Sequence, residues 1–315
     1  MRIKMLTKRP PKTRIARIMT KEQFKTEFET RRLKVEAAIK KYLPAEDTRP
    51  SIVHKAMHYS MEAGGKRIRP MLLLAAHEMF PSEVDPLPAC VAIECLHTYS
   101  LIHDDLPCRD NPALRRGKPT CHKQFDETMA LLAGDALLTY SFRLLADAYK
   151  ARPEIATGLV FDLADAGGSQ KMIGGQVEDV LGEREGKMTP DRLNFIHDNK
   201  TAALITAAVT MGIRLADDYS EEKLEIARRI GKNIGLAFQV IDDILDVTSD
   251  AATMGKTTGL DAANGKMTYV SLFGIDRSRE IAAELTAAAV ADCKKLSQNC
   301  EFFEALINYM LNRIN

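Results

Sequence analysis

An all-α fold is the expectation, and three observations carry it. Apolar residues recur at helical spacing in one segment after another. The punctuation between those segments is Gly, Pro and Asn. Few runs combine β-branched residues with a period of two, so no sheet is expected. No composition shift or fixed-period repeat divides the chain. The simplest architecture is a single-domain helical bundle over residues 19–315, built around a deep central cavity.

Residues 1–18 carry Arg2, Lys4, Lys8, Arg9, Lys12, Arg14 and Arg17 and no acid. This basic extension is expected to be disordered. It suits a tail for an anionic surface, a transit peptide, or a stretch ahead of a working start at Met19. Thr20 with Gln23 then forms a capping-box pattern. Phe24, Phe28, Val35, Ile39 and Tyr42 follow at helical spacing, and Pro44 ends that helix. A second helix is expected from Pro50 to Gly64-Gly65. A third follows Pro70 through Met71–Ala76. Ala89–His103 reads as a long buried helix. Further helical patterns cover 126–150, 153–174, 189–212, 220–247 and 277–296.

Composition narrows the function classes. The 315 residues are 28% charged and 45% hydrophobic, as in ordinary globular proteins. A net charge of +1 gives no pull toward nucleic acid. Cys90, Cys95, Cys108, Cys121, Cys293 and Cys300 contain no CxxC pair and fit neither a zinc site nor a disulfide framework. Reduced thiols in a cytoplasmic protein are expected. The most apolar run, Met129–Phe142, is interrupted by Asp135 and reads as too short for a membrane span.

Two aspartate clusters dominate the chemistry. One is Asp104-Asp105-Leu106-Pro107-Cys108-Arg109-Asp110; the other is Asp242-Asp243-Ile244-Leu245-Asp246. Each ends an apolar helical run. Gathering carboxylates costs free energy unless a cation neutralises them. Two such clusters suggest several hard divalent cations, most simply Mg²⁺, whose oxygen ligands are shared with a substrate phosphate. Asp242, Asp243 and Asp246 fall on one face of a regular helix. Asp104 and Asp110 would diverge on one. Pro107 therefore predicts a bulge or a helix end that swings Asp110 back beside Asp104.

Cations accompany the carboxylates. Gly64-Gly65-Lys66-Arg67-Ile68-Arg69-Pro70 places three beside a turn, suited to clamping a diphosphate. Arg115-Arg116-Gly117 follows the first cluster, and Lys200-Thr201, Lys256-Thr257 and Lys266 are further donors. His97 is a candidate phosphate donor, whereas His103, and the i, i+4 pair His54 and His58, are read as structural. Gly174-Gly175-Gln176 marks either a helix break or a close approach of backbone to a substrate. The chain has no GxGxxG and no Walker lysine loop, so nucleotide binding has no support.

Taken together, these segments resemble the trans-isoprenyl diphosphate synthases, in particular the bacterial farnesyl and geranylgeranyl diphosphate synthases. The matching stretches are Gly65–Pro70, Tyr99–Pro107, Leu114–Thr120, Gly174–Gln176, Lys200-Thr201, Phe238–Asp246 and Gly265–Tyr269. The resemblance implies head-to-tail condensation of an allylic diphosphate with isopentenyl diphosphate in an all-α homodimer. It implies Mg²⁺, three ions per active site, on Asp104, Asp105, Asp110 and Asp242, with Asp243 and Asp246 in support. Arg115, Lys200, Thr201, Gln239, Lys256 and Lys266 would hold the allylic diphosphate. Lys66, Arg69, His97 and Arg116 would hold isopentenyl diphosphate.

This chain departs from the family pattern at Arg109, where an apolar residue is common, and at Pro112-Ala113, where acids are common. A non-catalytic regulatory subunit is the alternative of another class. It would be expected to lack one of the motifs, and all are present. A terpene cyclase would not need the Lys66/Arg69 motif. Product length is read from Tyr99 and Ser100, five and four residues before Asp104. An aromatic floor at Tyr99 favours farnesyl diphosphate, with geranylgeranyl diphosphate as the alternative.

Overall fold

The structure is a computed structural model that describes residues 19–248, 267–297 and 299–311. The 1–18 extension and the candidate donors Lys256, Thr257 and Lys266 lie outside these residues. Helix α1 (Lys21–Tyr42) begins with the expected capping box. Thr20 Oγ1 accepts from the Gln23 amide at 3.2 Å, and Gln23 Oε1 accepts from the Thr20 amide at 3.0 Å. Helices α2 (Ser51–Met61), α3 (Ile68–His77) and α4 (Leu87–Asp104) follow. Helix α4 is the axis of the bundle. Every side chain from Ala89 to Leu96 is buried, as expected for a helix apolar all round. It packs mainly against α6 (Glu127–Ala148) and α3, with α1 and α2 completing its surround.

The second half builds on α10 (Ala202–Arg214), which is buried along its length and lies against α3, α7 (Pro153–Gly167) and α11 (Glu221–Thr248). Helix α12 (Tyr269–Leu296) pairs with α11, and α13 (Glu301–Leu311) closes the bundle. Between α4 and α6 lie a hairpin, β1 (Leu114–Arg115) and β2 (Lys118–Pro119), and the single turn α5 (Cys121–Gln124). Helices α8 (Met172–Glu185) and α9 (Pro190–Ile196) and a π-helical turn (His197–Thr201) link α7 to α10.

Several boundaries differ from the sequence expectation. The expected 153–174 helix stops at Gly167 because Gly168 is extended (φ −75°, ψ 178°). The chain re-forms a helix at Met172, so Gly174-Gly175-Gln176 lies inside a helix and marks no break. The 189–212 pattern is broken by the π turn. The expected absence of strands fails at the two-residue hairpin. There the turn residues Arg116 and Gly117 both have positive φ (53° and 75°), the I′ geometry usually signalled by Asn-Gly. Helix α3 starts at Ile68 and carries Pro70 in its first turn, where a missing amide donor costs little. Helix α12 starts earlier than expected and kinks at Gly274, and α13 was not anticipated. By length and composition alone α6 is long and apolar enough to cross a membrane, contrary to the sequence expectation. Its Ala130, Ala133, Leu137, Leu144 and Leu145 are buried against the rest of the bundle.

Candidate active site

A cavity of about 790 Å³ runs between α4 and α8, with Leu138 of α6 on its wall and Lys200 and Thr201 at one side. Its walls are mostly apolar: Leu101, Leu106, Leu138, Ile173, Val177, Val180 and Leu181. Polar groups gather at Arg69, His97, Asp104, Arg109, Gln176, Lys200 and Thr201. An apolar cleft with a few convergent polar groups is what a long hydrocarbon with a charged head requires.

Pro107 turns the chain as expected. Helix α4 ends at Asp104, and the Asp110 amide donates back to the Asp104 carbonyl at 3.0 Å, which brings the two carboxylates to one turn. Asp104 lines the cavity with its side chain 25% exposed. Burial pushes its pKa up, opposed chiefly by the Lys200 and Arg109 charges and reinforced by Asp110. Asp105 faces the other way. Its two oxygens accept from Arg115 Nε at 2.7 Å and Nη2 at 2.6 Å, a bidentate pair on a 3% exposed residue. In this geometry Asp105 braces the hairpin arginine beside the cluster. Arg109 Nη2 stands 3.5 Å from Asp104 Oδ1.

The π turn sets Lys200 and Thr201. An extra residue in one helical turn re-aims the side chains on it. A Cβ on Gly175 of α8 would collide with the Lys200 backbone, so only glycine permits this approach. Lys200 Nζ donates to Asp179 Oδ2 at 2.5 Å, and Asp179 is 5% exposed. Thr201 Oγ1 donates to Gln239 Oε1 at 3.0 Å, and Gln239 Nε2 donates to Asp243 Oδ1 at 3.0 Å. Asp243 Oδ2 accepts from the Tyr269 amide at 2.9 Å. This ladder ties the π turn, α11 and the start of α12 together. Of the three aspartates of the second cluster, Asp243 is buried, while Asp242 and Asp246 are partly exposed.

A second chamber of about 520 Å³ shares Arg69 and His97 with the first and adds Gly65, Lys66 and Arg116. Of the three cations in the Lys66–Arg69 turn, Arg67 lines the chamber but is committed to carboxylates. It is 2% exposed and donates to Glu36 Oε1 and Glu94 Oε1, both at 2.8 Å. That ion-pair core holds Lys66 and Arg69 at the chamber. Arg116 donates to the Gly64 carbonyl, and its guanidinium lies where a Cβ on Gly65 would be. Burial pushes the Arg69 pKa down, with Glu94 and Asp242 pulling back, so Asp242 reaches this region electrostatically. Arg69 Nη1 lies 3.2 Å from His97 Nε2. Burial, then Arg69 and Arg116, hold the His97 pKa well below the usual histidine range. A neutral His97 accepts a hydrogen bond from Arg69 Nη1 at its Nε2.

Tyr99 and Ser100 both line the main cavity. The Tyr99 ring packs edge-on against His103 at 5.6 Å, and burial pushes its pKa up to about 12. Ser100 Oγ donates to the His97 carbonyl at 2.8 Å. His103 Nε2 meets the Leu131 carbonyl at 3.1 Å, a packing arrangement. His58 bridges the Pro44 carbonyl and Glu62, each at 2.9 Å, and His54 meets the Thr48 carbonyl at 2.8 Å, so both hold structure. All six cysteines are unpaired.

Sequence reasoning missed Asp179, Glu94 and the α8 wall. Asp179 lies one turn beyond Gln176, and that spacing was the available signal. The donor set fits hard cations: carboxylates only, with the Asp104 pKa raised by burial and, to a lesser extent, by Asp110. Among the described residues the Gln176 amide nitrogen and Arg69 Nε are buried without a hydrogen-bond partner, polar atoms at a site built for more than apolar contents.

The sequence model of the polyprenyl synthetase family matches residues 50–306. The chain is 44% identical over 269 residues to a chloroplastic geranylgeranyl pyrophosphate synthase of Catharanthus roseus, covering 84% of this chain and 75% of that protein. It is 44% identical over 270 residues to the farnesyl diphosphate synthase of Escherichia coli, covering 83% and 89%. A geranyltransferase of Helicobacter pylori, solved with magnesium and isoprenyl diphosphate, superposes with a TM-score of 0.78 at 38% identity, over 91% of this chain and 96% of that one.

Proposed function

The chain belongs to the polyprenyl synthetase family and is a trans-prenyl diphosphate synthase, and we propose that its product is trans-farnesyl diphosphate. It condenses isopentenyl diphosphate with dimethylallyl and geranyl diphosphates and releases diphosphate. The observation that carries this reading is the pair of joined chambers. One is apolar with Asp104 on its lining; the other is smaller and basic, with Lys66, Arg69 and Arg116.

In this reading Asp104, Asp110, Asp242 and Asp246 hold Mg²⁺, three ions per site, while Asp105 and Asp243 brace Arg115 and Gln239. When bound, the ions supply Lewis-acid stabilisation of charge on the departing diphosphate. Lys200 and Arg115, with Lys256 and Lys266 from outside the described residues, orient that diphosphate. Lys66, Arg69, His97 and Arg116 hold isopentenyl diphosphate so that its double bond faces the allylic carbon. The Thr201 hydroxyl and Gln239 carbonyl direct their dipoles at the developing positive charge. Leu106, buried on the cavity wall, helps keep water from that charge. The new carbon–carbon bond takes its electrons from the isopentenyl double bond, and the proton then lost passes to the released diphosphate.

Residues 19–315 act as one domain in this proposal, and the protein is a cytoplasmic homodimer. Six unpaired thiols support the compartment. Exposed Leu131 and Leu132 on α6 and Phe161 on α7 support pairing.

The test is direct: incubate the protein with labelled isopentenyl diphosphate, Mg²⁺ and each allylic starter, then separate the dephosphorylated products. A C15 product that lengthens in Tyr99→Ala is expected. Mainly C20 from the natural sequence, or unchanged length in the variant, would move the floor elsewhere.

A further inference from the structure

Among the described residues, Lys200, Arg109 and Arg115 influence Asp104, and two of them are committed elsewhere. Lys200 is anchored on buried Asp179 at 2.5 Å. Arg115 is locked in a bidentate pair with Asp105. Arg109 has no second anchor among the described residues. Its side chain is 26% exposed, its guanidinium faces Asp104 at 3.5 Å, and it lines the main cavity. That separation is a loose ion pair rather than a well-formed hydrogen bond. The Arg109 amide donates to the Leu106 carbonyl at 2.8 Å, which fixes its backbone inside the turn that brings Asp110 back to Asp104.

We propose that Arg109 sets the metal affinity of this site, as a built-in counter-ion on Asp104 that a divalent cation must displace. The turn brings two carboxylates together, and their repulsion in the metal-free protein would splay it. The Arg109 guanidinium beside Asp104 relieves that repulsion without occupying a fixed socket. The same contact competes for Asp104 with any incoming cation, so the site gains order when empty and binds metal less tightly. Lys200 and Arg115 cannot substitute, because moving either would leave a buried carboxylate uncompensated. Arg109 is thus a positioning residue that acts through Asp104.

This inference rests on the reading of Asp104 as a metal-binding carboxylate, and the experiment separates the two. Mn²⁺ binding to the full chain is measured by electron paramagnetic resonance, with inorganic diphosphate present. Arg109→Met is expected to lower the apparent Kd about two- to fivefold, the scale of one partly exposed ion pair. Arg109→Lys, which keeps the charge, should stay near the natural sequence. In an Asp104→Asn background, Arg109→Met should change the Kd less than twofold. As a second readout, the Mg²⁺ concentration for half-maximal rate should fall in Arg109→Met while the KM for isopentenyl diphosphate holds. Unchanged or weaker Mn²⁺ binding in Arg109→Met would overturn the role of Arg109 alone, as would an equal gain in the Asp104→Asn background. No Mn²⁺ binding by the natural sequence would overturn the metal reading of the cluster and the inference with it.

Discussion

Asp179→Asn is expected to damage the enzyme through Lys200, although residue 179 is not assigned to either substrate. Lys200 Nζ donates to Asp179 Oδ2 at 2.5 Å, and the carboxylate is 5% exposed. Asparagine keeps the shape and one acceptor but removes the charge. Hydrogen bonds involving a charged group contribute about 1.5–3 kcal/mol. Because the Lys200 side chain is 31% exposed, water recovers part of that, and about 1.5–2 kcal/mol is a reasonable loss. If the freed ammonium swings to Asp104, it leaves its place on the allylic diphosphate. At about 1.4 kcal/mol per decade, kcat/KM for geranyl diphosphate should drop roughly 10- to 30-fold. The KM for isopentenyl diphosphate should change little, since Lys66 and Arg116 line the other chamber and not this one. Steady-state kinetics with each substrate varied in turn measures both, and circular dichroism checks the fold. A drop under twofold, or an equal rise in both KM values, would refute the reasoning.

Asp104→Ala and Asp242→Ala should each abolish turnover while leaving the helical circular dichroism intact, a loss beyond the roughly 1.5–3 kcal/mol of one charged hydrogen bond. Near-normal rates at saturating Mg²⁺ would exclude them as metal carboxylates. His97 makes stability depend on pH. Its folded pKa lies well below the usual value, so below pH of about 6.5 the unfolded chain binds a proton that the folded chain refuses. Stability therefore falls on acidification from that point down to the folded pKa, by up to about 1.4 kcal/mol per pH unit. His77 adds in the same direction, its pKa also pushed down by burial. The measurement is accordingly the difference in urea midpoints between the natural sequence and His97→Gln, and a pH-independent difference would contradict the prediction.

How much of this was legible in advance depends on the range of the interaction. The helices with strong local signals, α1 and α4, came out where periodicity and capping put them. The turn at Pro107 did too, because proline restricts its own φ and its neighbour's conformation without help from the rest of the chain. Helix α8 was lost because an apolar pattern cannot reveal a single extended residue such as Gly168. The hairpin was lost because Arg116 takes a left-handed conformation that arginine adopts only under tertiary constraint. The site residues were found as types in clusters. Their division of labour was not.

The sequence by itself determined an α-helical chain with two carboxylate clusters, two basic turns and an apolar helix leading into the first cluster. These follow from short-range periods and backbone preferences. Only the tertiary structure decided which charge meets which. It sends Arg67 into the core to Glu36 and Glu94, 31 and 27 residues away. It gives Lys200 to Asp179 across 21 residues, and Asp243 to the Tyr269 amide across 26. It leaves Arg109 facing Asp104. Residue types and spacing do not encode such pairings, because each depends on where separate helices pack. A buried charge then accepts whichever partner that packing brings within reach.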